Sequence, residues 1–145
     1  SNNIKLKFIG DISIFTEPLQ SKIKEIEKET FRNKRLILNV ALNYGGRLDI
    51  VNSVNKFYNN KKIIKKITEK NINSGLYTKG QSDVDLLIRT GGQQRMSNFL
   101  LWQTAYAELF FSKKLWPDFD EKVFVDALYF FQNTERKFGS ISKST

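Results

Sequence analysis

The chain has no cysteine and no histidine, one methionine and only two prolines. Without cysteine there are no disulfides, no thiol nucleophile and no thiolate metal site, which fits a cytoplasmic protein. Without histidine, imidazole general-base chemistry and imidazole metal ligation are excluded. Any metal must be held by oxygen, which favours magnesium-type ions. There is no run of 18 apolar residues, so no transmembrane span is read. No secretory leader is visible, and SNN leads abruptly into the strand-like IKLKFIG, as the start of a fragment would.

What is present is a basic, aromatic-rich chain. Its 145 residues are 40% hydrophobic and 27% charged, enough for one globular domain over 1–145. The net charge of +9 calls for an anionic partner: nucleic acid, a membrane surface or a phosphorylated ligand. Lysines scattered along helices, with no recognised nucleic-acid module, argue against nucleic acid.

Strand and helix signals alternate. Ile4–Gly10 reads as a strand. Thr16 reads as a helix cap with Pro18 in the first turn, and Leu19, Ile23 and Ile26 follow at helical spacing. Arg35–Leu42 reads as a second, largely apolar strand. The turn Asn43–Arg47 leads to a helix with Ile50, Val51, Val54 and Tyr58 on one face. Ile63, Ile64 and Ile67 suggest a short basic amphipathic helix through Lys70, either solvent-facing or touching an anionic membrane. Asn71–Ser82 reads as a connection. This alternation predicts an α/β fold, a parallel sheet flanked by helices.

The densest stretch is DVDLLIRTGGQQRMSNFLLWQTAYAELFFSKKLWPDF, Asp83–Phe119. Its apolar run ends on Arg89, a Gly91–Gly92 loop follows, and Ser97 is placed to cap a helix through Trp102. In an open α/β sheet, ligands bind beyond the carboxyl ends of strands. Arg89 and Arg95 have forked donors suited to phosphate oxygens, and Ser97 adds a hydroxyl. Each charge-assisted hydrogen bond is worth roughly 1.5–3 kcal/mol, so the set could hold a diphosphate. The alternative is a plain turn with solvated arginines. It is not a Walker loop, because G-x-x-x-x-G-K-[ST] is absent. Glu108 lies in the apolar run AYAELFF, where a buried carboxylate needs an arginine or a metal beside it. Asp118 or Asp120 can cap a last helix whose apolar face is Val123, Phe124, Ala127, Leu128 and Phe131.

The string DLLIRTGGQQRMSNFLLWQTAYAELFF, followed by LWPDF, closely resembles the last signature region of the cis-prenyltransferases, the undecaprenyl diphosphate synthase family. LNVALNYGGRLDIV resembles the family's middle signature; FIGD and RKFG also fit. The resemblance implies condensation of isopentenyl diphosphate with an allylic diphosphate, such as farnesyl diphosphate, to a long-chain polyprenyl diphosphate. It implies magnesium, a homodimer and a role in cell-wall carrier synthesis; peripheral membrane contact rests on the basic Ile63–Lys70 stretch. Arg89, Arg95 and Ser97 match positions that hold the isopentenyl diphosphate, and Glu108 matches a magnesium ligand. Asn43, Arg47 and Met96 are secondary candidates.

The chain also departs from the family pattern. Gln93 stands where glutamate is common, Gln94 where some members have histidine, and Lys137 where a second arginine is common. Nothing in Ser1–Asp11 matches the family's first signature, which carries the catalytic aspartate and the allylic-diphosphate loop. The chain therefore reads as the C-terminal portion of such a domain, with no catalytic residue of its own and no turnover alone. The competing readings are a non-catalytic subunit of a heteromeric prenyltransferase and a basic nucleic-acid-binding protein.

Overall fold

A computed structural model describes residues 3–59 and 66–135. Contacts group the chain into two compact units, Ser1–Gln81 and Ser82–Thr145.

In the first unit, β1 (Ile4–Ile9) pairs in parallel with β2 (Leu36–Ala41), Ile4 opposite Leu36 and Ile9 opposite Ala41. Helix α1 (Glu17–Thr30) connects them and buries Ile23. Thr16 stands at its N-cap as expected, but its hydroxyl makes no capping bond; Pro18 sits in the first turn, where no N–H is needed. Gly10, at φ 114°, closes the end of β1: a Cβ there would lie 2.0 Å from the Leu42 carbonyl oxygen.

Helix α2 (Gly46–Asn59) does not bury the face expected from its apolar residues. Val51 and Tyr58 are exposed, while Gly46, Asp49 and Ser53 are buried. The reason is its neighbour, α3 (Glu69–Gly75). The Ser53 hydroxyl donates to the Ile72 carbonyl at 2.7 Å, and Lys56 Nζ donates to the Gly75 carbonyl at 2.6 Å. The close approach needs Gly75, since a Cβ there would meet Ser53 Oγ at 2.2 Å. α3 starts on a capping box formed by Thr68 and Asn71 and occupies part of the segment expected to be a connection. The expected basic helix of Ile63 and Ile64 lies largely outside the described residues.

In the second unit, β3 (Leu86–Arg89) pairs in parallel with β4 (Glu108–Phe111), Leu86 opposite Glu108 and Arg89 opposite Phe111. Helix α4 (Glu121–Asn133) follows. Asp120 caps it, accepting from Val123 N–H at 3.0 Å. Val123 and Ala127 are buried, and Phe110 and Phe130 approach at 5.7 Å between ring centres. The α/β class with parallel pairing is as expected. Among the described residues, no helix is long and apolar enough to cross a membrane.

Candidate diphosphate-binding loop

The loop after β3 is organised by Arg89. Its Nη1 donates to the Ser97 hydroxyl at 2.8 Å and to the carbonyl of Arg95. The Gly91 N–H donates to the Lys114 carbonyl at 2.7 Å, and the Gly92 N–H donates to the Ser112 carbonyl at 2.9 Å. Both glycines have positive φ, 87° and 74°, a region costly for most side chains. Their amides therefore tie the loop to the end of β4 instead of facing a ligand. Arg95, exposed, donates to the Gln93 side chain. Arg89, Arg95 and Ser97 thus lie together in one loop at the carboxyl end of β3, with half-buried Met96 between the last two.

The helix expected from Ser97 does not form. Ser97, Asn98 and Leu100 have φ of 47°, 63° and 45°, left-handed values that a right-handed helix cannot contain. The segment runs instead as turns, with Phe99 N–H on the Met96 carbonyl and Thr104 N–H on the Leu100 carbonyl. The Ser97 hydroxyl, drawn to Arg89, is not a helix cap. The anion-attracting dipole of a helix start is therefore absent here, and positive charge comes from the arginines.

Glu108 is half-buried, less enclosed than its apolar neighbours suggested. The register places it opposite Leu86, three positions before Arg89, which is about 10 Å along a strand. The sheet thus separates Glu108 from the loop end. Among the described residues, no three acidic side chains come together to hold a metal. Magnesium takes an octahedral oxygen shell in which one or two carboxylates are joined by waters and substrate phosphates, so Glu108 would be one ligand among several.

Asn43 and Arg47 belong to the first unit. Asn43 adopts φ 45° and joins the ends of the two strands: its carbonyl accepts from Asp11 N–H at 3.3 Å, and its Nδ2 donates to the Asp11 carbonyl at 3.1 Å. The Asp11 carboxyl sits below its usual range because the Ser13 hydroxyl and N–H both donate to it. Arg47 lies exposed in the first turn of α2.

Asp49 was not singled out from sequence. It is 1% exposed, accepts from the Tyr44 hydroxyl and the Tyr77 N–H, both at 3.0 Å, and so joins the turn after β2 to the chain after α3. Its spacing in α2, three after Gly46 and four before Ser53, was the available signal: a polar stripe on a helix that also carries apolar residues.

The chain resembles a crystal structure of a probable undecaprenyl diphosphate synthase from Campylobacter jejuni, with TM-score 0.84 and 36% identity over 96% of this chain and 64% of that one. It also resembles lavandulyl diphosphate synthase from Lavandula x intermedia, solved with dimethylallyl diphosphate, with TM-score 0.89 and 37% identity over 97% of this chain and 62% of that one. The fold is that of these diphosphate synthases.

A sequence model described as "Putative undecaprenyl diphosphate synthase" matches residues 1–139, and the chain belongs to that prenyltransferase family. A ditrans,polycis-undecaprenyl-diphosphate synthase ((2E,6E)-farnesyl-diphosphate specific) from Haemophilus ducreyi is 49% identical over 142 residues, 95% of this chain and 59% of the relative. One of the same description from Wigglesworthia glossinidia brevipalpis is 51% identical over 148 residues, 97% of this chain and 56% of the relative. The chain thus spans less than two thirds of the length of these curated relatives.

Proposed function

We propose that this chain supplies the isopentenyl-diphosphate side of a cis-prenyl elongation site. The product would be a long-chain polyprenyl diphosphate such as undecaprenyl diphosphate, built on farnesyl diphosphate. The observation that carries the reading is the loop at the end of β3. Arg89 gathers the Arg95 carbonyl and Ser97, and Gly91 and Gly92 are pinned to the chain after β4. Such a loop is ordered before a ligand arrives, so less entropy is lost on binding.

In the reaction, diphosphate leaves the allylic carbon as the isopentenyl double bond attacks it, and a proton is then lost. The role for Arg89, Arg95 and Ser97 is to hold the attacking substrate by its own diphosphate, with its double bond near the allylic carbon. Met96 lies between two of these residues and would contact the same ligand. Asn43 and Arg47, in the first unit, are secondary candidates. Glu108 would contribute one oxygen to a magnesium shell, but the described residues do not complete such a site and no step here runs through the metal. Residues 1–145 would form one part of a single catalytic domain, acting as a homodimer with peripheral contact to a membrane.

The test is a calorimetric titration of isopentenyl diphosphate, with magnesium, into the folded chain and an Arg89→Ala variant. Binding to the first that is lost in the second supports the reading. A folded chain that binds equally well with and without Arg89 refutes it.

A further inference from the structure

The Arg89–Ser97 loop is held from outside itself, by the residues that follow β4. The Ser112 N–H donates to the Arg89 carbonyl at 2.8 Å, and the Ser112 carbonyl accepts from the Gly92 N–H at 2.9 Å. The Lys114 carbonyl accepts from the Gly91 N–H at 2.7 Å. Gly92 lies against Lys113, where a Cβ on the glycine would come to 3.9 Å from the Lys113 Cα. The strands end at Arg89 and Phe111, so the ladder no longer sets the direction of these carbonyls.

Side chains set it instead. Ser112 is 8% exposed, and its hydroxyl accepts from the Lys114 N–H at 3.2 Å. A side-chain oxygen that takes an N–H two residues on fixes a local turn without a ladder. Beyond it, the Lys114 ammonium donates to Asp120 Oδ2 at 2.7 Å, while Asp120 Oδ1 accepts from the Val123 N–H at 3.0 Å in the first turn of α4. A continuous path thus runs from Gly91 through Lys114 and Asp120 to a helix end. Its two side-chain links differ in weight. The Ser112 hydroxyl is enclosed, so losing it costs an acceptor that water replaces poorly. The Lys114 and Asp120 side chains are 44% and 52% exposed, where water screens the pair.

We propose that Ser112 is a positioning residue for the diphosphate-binding loop, with the Lys114–Asp120 pair as a weaker outer tie. Neither touches the ligand. They act through the Gly91 and Gly92 amides, which hold the turn leading from Arg89 to Arg95 and Ser97. A turn fixed beforehand lowers the entropy lost when the ligand binds. The effect on affinity rests on the diphosphate reading, whereas the ordering of the loop does not.

The test reads two quantities on the folded 145-residue chain: amide hydrogen exchange without ligand, and isopentenyl diphosphate affinity with magnesium by calorimetry. In Ser112→Ala, exchange at Gly91 and Gly92 is expected to speed roughly tenfold. Affinity is expected to fall about three- to tenfold. The Val84 and Thr104 amides, bonded to the Gln103 and Leu100 carbonyls in the same unit, should change little. Ser112→Thr keeps the hydroxyl and should restore both readings. Lys114→Met and Asp120→Asn should each weaken binding about two- to threefold, as an exposed pair allows. Asparagine still caps α4, and the double variant should bind no worse than either single one, because both break the same contact. Unchanged glycine exchange or unchanged affinity in Ser112→Ala overturns the proposal. Exchange that speeds equally at Val84 and Thr104 also overturns it, in favour of a general loss of stability. A folded, unmutated chain that binds no isopentenyl diphosphate defeats the diphosphate reading and the affinity role with it. The glycine exchange, which needs no ligand, then still decides whether Ser112 orders the loop.

Discussion

Arg89 acts on the loop before it acts on any ligand. Its guanidinium joins the Arg95 carbonyl to the Ser97 hydroxyl. Arg89→Ala should therefore weaken isopentenyl diphosphate binding by roughly 10- to 150-fold, the equivalent of about 1.5–3 kcal/mol, as read by calorimetry. Arg89→Lys keeps charge but not the fork, and should recover only part of that loss. Tyr77 offers a separate test. Burial first, then the negative charges of Asp11 and Asp49, push its phenol above the ordinary value near 10, against a lowering hydrogen bond with Asn52. A raised folded pKa means a contribution that is whole below pH 10 and lost as pH rises through the folded value. Tyr77→Phe should flatten the loss of stability above pH 10, measured by urea unfolding across that range. At this scale, the types of Arg89, Arg95 and Ser97 were legible because forked cations and a hydroxyl beside glycines suit phosphate. Asp49 was not, because a carboxylate in a helix is ordinarily solvated; only the arrival of Tyr44 and the Tyr77 amide makes it buried.

Elements were legible where the local pattern agreed with the packing. β1, β2, α1, β3 and α4 lie within a residue or two of the ranges that periodicity and capping predict. The helix expected from Ser97 shows the opposite case. Good helix formers such as Leu100 and Leu101 are overridden by the Arg89 contacts and by three left-handed residues. The α2–α3 contact is likewise tertiary. Gly75→Ala should cost about 1–3 kcal/mol in urea unfolding, because the new Cβ collides with Ser53. For α4, Asp120→Ala should lower the thermal midpoint and Asp120→Asn restore most of it, since asparagine also caps. The Lys114 hydrogen bond, then the Val123 N–H, hold the Asp120 carboxyl below its usual 3.8. That contribution is present above pH 3.8 and fades as pH falls toward the lower folded value, so Asp120→Asn should lose the acid-dependent part alone.

For the whole molecule, the described residues bring Arg89, Arg95 and Ser97 into one loop and hold no group of three acidic side chains for a metal. We expect no chain elongation when the 145-residue polypeptide is supplied with farnesyl diphosphate, isopentenyl diphosphate and magnesium; long-chain product from this chain alone would refute that. The net charge of +9 predicts that isopentenyl diphosphate binding weakens with added salt, checked by titration at two ionic strengths.

The sequence by itself determined the class of fold and the chemistry on offer. Periodicity, capping and apolar runs are local, and the absence of cysteine and histidine removes whole reaction types without reference to shape. Only the tertiary structure decided which groups meet. It took Ser97 from a helix cap to a partner of Arg89, set Glu108 about 10 Å along the sheet from that loop, and buried Asp49. These outcomes rest on contacts between residues distant in the chain, whose geometry no local pattern encodes.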